Sequence, residues 1–185
     1  MTAASDAASD AASDAVPPLV RCVGCGALVP DVDGPTHRYV GASPGCWQRY
    51  NDLLALEYGV YHYPAVHQTT VDAYMAQHPG VPGPQSRQSV CMHLVSLCLV
   101  VERGMAPARA TRALTHFTHR DYPWLQPPAT LGAITVLDVL GARDLAEHSA
   151  RVERWGRAVW EAWAAHHATI RGWLTALPPE RRAPG

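Results

Sequence analysis

Between Leu145 and Leu177 the side chains Leu145, His148, Val152, Trp155, Val159, Trp163, His166, Ile170, Trp173 and Leu177 recur at intervals of three and four residues. A helix turns every 3.6 residues, so this spacing puts all ten on one face and predicts one long helix over residues 144–176 with a buried stripe. No stretch of the chain alternates apolar and polar residues with period two, the pattern of a half-buried strand. The predicted fold class is therefore mostly α, a helical bundle of about five to six helices.

Punctuation residues place the other helices. Ser43 is the expected N-cap before Pro44, and Gly59 is a stop; between them Trp47, Tyr50, Leu53, Leu54 and Tyr58 share helical spacing. A second helix is predicted from Pro64 to His78, halted by Pro79-Gly80, and a third from Gln85 to Arg103, ended by Gly104. The middle of the third, VCMHLVSLCLVV, has only His93 and Ser96 as polar side chains and should be buried on nearly all sides. A short fourth helix follows from Pro107 to Thr118, then the proline-broken loop RDYPWLQPPAT with Trp124, and another short helix from Ile134 to Leu140.

Charge and length narrow the function classes. The 185 residues carry 15 basic and 16 acidic side chains, all the basic ones being arginine. Without a basic excess or cluster, no nucleic-acid partner is expected, and without lysine the chain cannot form a Schiff base. The longest apolar run, Leu94 to Val101, is too short to cross a bilayer, and the N-terminus lacks an export signal, so no membrane partner and a cytoplasmic location are expected. The thrice-repeated AASD has nothing large to bury and reads as disordered. The expected organisation is a low-complexity tail over 1–18, a metal-binding segment over 19–46, the helical bundle over 47–177 and a C-terminal tail over 178–185.

The segment from Arg21 to Ser43 is rich in Gly, Pro and Asp and can form turns and at most a small hairpin. It cannot build a core alone, and a bound metal would supply the missing stability. Cys22 and Cys25 stand as C-x-x-C-G, with His37 and Cys46 the nearest further ligands, giving C-x2-C-x11-H-x8-C. Four such ligands suit tetrahedral Zn2+, and Cys46 would lie in the first turn of a helix, where free amides favour a thiolate. The competing readings are an incidental exposed pair with a buried Cys46, and, if His37 is not a ligand, three thiolates with an open position, the arrangement of a catalytic zinc. Cys91 and Cys98 sit in the apolar third helix and read as core residues.

Histidines on apolar helices are the second unusual feature. His67 and His78 share a face of the second helix with Tyr74, but about 16 Å of helical rise keeps them from binding one ion together. His93 needs a partner, since a buried imidazole without one costs on the order of 1–3 kcal/mol. It either bonds locally, to Ser89 or a carbonyl, or meets His67 or Asp72 from the second helix and His166 or His167 from the last. The second arrangement would give an enzyme-like pocket lined by His67, Asp72, Tyr74, His78 and His93, with His93 or His67 as general base or ligand of a second metal, acting on a small molecule by hydrolysis or proton transfer. The alternative is a non-enzymatic binding or regulatory module with a purely structural zinc. His116 and His119 read as a solvated helix end. Oligomeric state and substrate are left open by the sequence.

The stretches CxxCGALVPDVDGPTHRYVGASPGCW, VDAYMAQHPG, RQSVCMHLVSLCLVVERG, YPWLQPP and VLDV together resemble an uncharacterised bacterial family of small, histidine-rich, zinc-binding helical proteins, a domain of unknown function. The resemblance runs from Cys22 to Leu174, and its pattern includes Cys22, Cys25, His37, Cys46, Tyr74, Gln77, His78, His93 and the Tyr122-Pro-Trp-Leu stretch. It implies a shared fold and a shared metal site, and no particular activity.

Overall fold

The computed structural model describes residues 17–118 and 121–175. The expected tails fall almost wholly outside these, as does His119. Two short strands, β1 (Leu19–Arg21) and β2 (Leu28–Pro30), pair antiparallel with Val20 opposite Val29. Seven helices follow among the described residues: α1 (Pro44–Gly59), α2 (His67–Gln77), α3 (Pro84–Leu97), α4 (Pro107–Leu114), α5 (Val136–Leu140), α6 (Leu145–Ala162) and α7 (His167–Thr175). The mainly α fold expected from the sequence is what the structure shows, with the hairpin as its only sheet among the described residues. No described helix is long and apolar enough to cross a membrane.

Local chemistry explains the boundaries. Pro44 opens α1 as its fixed φ favours, but Ser43 makes no capping bond within the helix; its hydroxyl instead accepts the Val23 N–H at 3.1 Å and ties the hairpin to the helix start. Thr135 and Asp138 close a capping box at α5, and the Asp144 carboxylate caps α6 by accepting the Glu147 N–H. Beyond α3 the chain continues as a π-helical turn, Cys98–Glu102, before Gly104 turns it at φ +63°.

The predicted single helix over residues 144–176 is broken. A 3-10 turn at Ala164–His166 separates α6 from α7. His167 stacks on Trp160 with ring centroids 3.8 Å apart, and its Nε2 donates to the Trp160 carbonyl at 2.8 Å. In an unbroken helix that carbonyl would take the amide of residue 164. Trp163 still turns inward, its indole N–H donating to the Ala76 carbonyl at 3.2 Å, while His166 points to the surface and donates to the Gln126 carbonyl.

The core sits where α2 packs on α3, α6 and α4 and meets side chains of α1, around Tyr50, Leu53, Tyr74, Leu94, Leu97, Trp155 and Trp163. α2 is unusual in burying polar side chains along with apolar ones: His67, Thr69, Thr70, Asp72 and Gln77 all lie inside. Gln77 shows how this is sustained. Its amide donates to the carbonyls of Leu131 (2.9 Å) and Ile134 (2.7 Å), and its oxygen accepts the Trp155 indole N–H at 2.9 Å. Expectation had α3 as the helix buried nearly all round, yet Met92 and His93 on it are partly exposed.

α6 crosses α2 and α3 at Gly156, where a Cβ would lie 2.7 Å from Thr69 Cγ2 and 3.5 Å from Leu97 Cδ2. Filling that crossing with a branched side chain must push the helices apart. Gly156→Val is expected to cost about 1–3 kcal/mol, read as a lower midpoint in urea unfolding.

Candidate metal centre

The turn between β1 and β2 brings Cys22 and Cys25 to one side. Cys22 N–H donates to the Ala27 carbonyl at 2.8 Å and Gly26 N–H to the Cys22 carbonyl at 3.0 Å, with Gly26 in the left-handed region that favours glycine. Cys46, in the first turn of α1, faces this turn with its sulfur 3.8 Å from that of Cys25. The fourth member is His78, at the C-cap of α2, with Nε2 3.6 Å from Cys22 Sγ and 3.5 Å from Cys46 Sγ. All four donor atoms lie within 4.8 Å of one another, and the group can hold a metal ion.

The dimensions are informative. A tetrahedral ion with thiolate bonds near 2.3 Å and an imidazole bond near 2.0–2.1 Å requires edges of about 3.8 Å between sulfurs and about 3.5 Å between sulfur and nitrogen. Three of the contacts, Cys25 to Cys46 and His78 to Cys22 and Cys46, have those lengths.

His78 is aimed by the helix it ends. Its Nδ1–H donates to the Tyr74 carbonyl one turn back at 2.7 Å, which turns Nε2 toward the sulfurs. The Tyr74 hydroxyl donates to Cys46 Sγ at 3.6 Å, and its ring stacks on Tyr50 at 3.8 Å. Burial and the charge of Cys46 hold the Tyr74 phenol well above its ordinary range, so it remains a donor to the sulfur. The Gly41 N–H donates to the His78 carbonyl at 3.1 Å, fastening the loop before α1 to the same point. Gly24 completes the cradle: a Cβ there would fall 2.5 Å from His78 Cδ2 and 2.4 Å from the Gly41 carbonyl oxygen.

Protons and a metal compete for these groups. Hydrogen bonds from Cys25 and Cys46 hold the Cys22 thiol below its ordinary value, favouring a thiolate, whereas the same partnership with Cys22 and Cys25, together with burial, pushes Cys46 up. Burial alone would lower His78, but the Cys22 and Cys25 sulfurs outweigh it and raise it to about 9. An entering metal would displace these protons.

His37, the fourth ligand expected from spacing, is not a member of this group. Its ring lies edge-on to Tyr39 at 4.2 Å and against Trp47 at 5.7 Å, and its Nδ1 is buried without a partner. The residues expected to line one pocket are likewise distributed. Tyr74 and His78 belong to the sulfur cluster, Asp72 and His93 form a pair, and His67 joins a third group. A groove of about 430 Å³ does exist, but it is lined by Val32, Asp33, Trp47, Gln48, Asn51 and Asp52, and by none of those five.

Asp72, with a fully buried side chain, accepts from His93 Nδ1 at 2.8 Å and from the Gln68 amide at 2.8 Å, both on Oδ1; its Oδ2 has no partner. The meeting of His93 with Asp72, one of the two alternatives left by the sequence, is what the structure shows, without His166 or His167 in it.

The third group centres on Glu57, which sequence reasoning passed over. It is fully buried on α1, in step with Cys46, Tyr50 and Leu53 at the spacing of one helix face, and that spacing was the available signal. Its Oε2 accepts from His67 Nδ1 at 2.6 Å, and its Oε1 from His148 Nε2 at 2.8 Å and the Thr70 hydroxyl at 2.6 Å. Burial opposes the charge, but the bonds from His148, His67 and Thr70 prevail and hold the carboxyl below its ordinary value. A depressed carboxyl pKa gives stability that is fully present above the ordinary value of 4.5 and lost as pH falls through the native one. Glu57→Gln should therefore flatten the acid side of the stability profile and, by leaving the imidazoles without their carboxylate, cost about 3–5 kcal/mol at neutral pH in urea unfolding.

No curated protein and no solved structure matches the chain. The resemblance read from the cysteine, DAY and YPWL stretches is matched at the level of the family: a family model covers residues 20–164, from the first strand to the turn after α6, and the chain belongs to the family of unknown function DUF5946.

Proposed function

We propose that the chain is a zinc-binding helical protein in which one Zn2+, held by Cys22, Cys25, Cys46 and His78, clasps the N-terminal hairpin to the start of α1 and the end of α2. The observation that carries this is the gathering of four donor atoms within 4.8 Å of one another, with the Cys25–Cys46 sulfurs 3.8 Å apart and two sulfur–imidazole distances of 3.5 and 3.6 Å at the size of a zinc tetrahedron. Zinc is favoured among metals by three soft thiolates with one imidazole in that geometry. A structural role is supported by the ligand set, in which three thiolates and an imidazole fill all four positions; Cys46 is 0%, His78 1% and Cys22 3% exposed, and Cys25 is half-buried. All five cysteines are free, which suits a reducing, cytoplasmic setting.

The decisive comparison is between the two histidines. His78→Ala and Cys46→Ser are expected to lower bound zinc well below one equivalent per chain, measured by plasma mass spectrometry on purified protein, whereas His37→Ala retains it. Zinc kept by His78→Ala and lost by His37→Ala would reverse the assignment. A chelator should remove helical circular dichroism together with the metal, as binding energy is folding energy at such a site.

A second reading, a histidine-based enzyme acting by hydrolysis or proton transfer on a small molecule, is favoured by the Asp72–His93 pair. The buried carboxylate orients the ring through Nδ1, while the 19%-exposed imidazole keeps Nε2 for a reactant. Under this reading His93→Gln keeps zinc and helicity and loses any hydrolytic turnover found; unchanged turnover would exclude His93 as the base.

A further inference from the structure

The Glu57 group holds more than a buried ion pair needs. His67 donates through Nδ1 to Glu57, and its other ring nitrogen, Nε2, lies 3.2 Å from the hydroxyl of Tyr58. The base is 5% exposed, whereas Tyr58 is 55% exposed, so a buried imidazole is presented with an accessible hydroxyl. Glu57 cannot turn away, because its second oxygen is occupied by Thr70 and His148. With Nδ1 committed as donor, Nε2 of neutral His67 is the acceptor for the Tyr58 O–H. Nucleophile, base and orienter stand in series within hydrogen-bond reach, the relationship that activates a hydroxyl for covalent chemistry.

The adjoining loop is bent to fit. His62 and Tyr63 both adopt left-handed backbone angles, φ 51° and 63°, and the Tyr63 N–H donates to the Glu57 carbonyl at 2.8 Å, bringing the Tyr63 ring to 4.4 Å from that of His67. Non-glycine residues held there cost energy, and such strain concentrates at functional sites.

We propose that Tyr58, His67 and Glu57 form a reactive triad in which the Tyr58 hydroxyl attacks uncharged carboxylic esters. The ester class follows from the surroundings. Between Arg49 and Arg87 the chain has no basic residue other than histidine, so an anionic phosphoryl group finds no guanidinium on these elements, while the exposed ring of Tyr63 (61%), 5.8 Å from that of Tyr58, offers apolar surface there. In the step, the Tyr58 oxygen bonds to the acyl carbon as its proton passes to His67 Nε2. The acyl–oxygen bond of the ester breaks, and the leaving alkoxide or aryloxide takes that proton, giving O-acyl tyrosine and a free alcohol or phenol. Glu57 is a positioning residue. None of this depends on the metal centre.

The test is acetylation of the intact chain by p-nitrophenyl acetate, followed by peptide mapping so that acylated cysteine is counted apart from acylated tyrosine. Tyr58 is expected to acquire acetyl about 10²-fold faster than the slightly more exposed Tyr63, and His67→Gln to remove most of that advantage with helicity and zinc content intact. p-Nitrophenyl phosphate should leave Tyr58 unmodified. Should His67→Gln fail to fold, the Tyr58 to Tyr63 ratio in the unaltered chain decides alone. Equal labelling of the two tyrosines, no labelling, or a Tyr58 rate unchanged in folded His67→Gln overturns the proposal.

Discussion

A helix buried on nearly every side must find a partner for each polar side chain it carries, and α2 carries many. Each buried donor or acceptor left without one costs about 1–3 kcal/mol. The structure meets most of this demand by sending the α2 side chains outward to α1, α3, α6 and the N-terminal hairpin, with Asp72 Oδ2 left without a partner. His67 and Thr70 reach Glu57 on α1, which reaches His148 on α6. Asp72 reaches His93 on α3, Gln77 reaches the loop before α5 and Trp155 on α6, and His78 reaches the cysteines. Polar satisfaction along one short helix thus fixes where the other elements stand.

The two ends of α2 do different work. At its C-terminal end the Tyr74 carbonyl aims His78, the Tyr74 hydroxyl touches Cys46, and the hairpin closes over both. At its N-terminal end the carboxylate of Glu57 is compensated by three donors and leaves one imidazole nitrogen facing an exposed phenol. The first gathers four donor atoms that could hold an ion, and the second adjoins an exposed side chain. Eleven residues separate His67 from His78, about 16 Å of helix, so the two groups stand well apart.

Much of the scaffold was legible in residue spacing. The mostly α class follows from three- and four-residue recurrence, and the limits of α1 from Ser43, Pro44 and Gly59. The long final helix was overextended because periodicity records which face is buried and is blind to a tight turn that keeps the face: Trp163 and Ile170 remain inside on both sides of the break. The cysteine cluster was recognisable from C-x-x-C-G and Cys46. His78 was visible as an unusual histidine, but nothing in its position 32 residues beyond Cys46 marked it for the same group, whereas His37 lay at a familiar distance. Glu57 fell on the apolar face of α1 and was readable there as a buried acid in need of partners.

By itself the sequence determined the helical class, the faces the helices bury, and the presence of more thiols and imidazoles than a core requires, because these depend on local geometry and composition. Which of those groups meet was decided only in three dimensions. Pairings such as Cys22 with His78 or Glu57 with His148 join residues 56 and 91 positions apart. They exist because α2 packs on α3 and α6 and meets the side chains of α1, where burying a polar group is costly unless the fold delivers its partner.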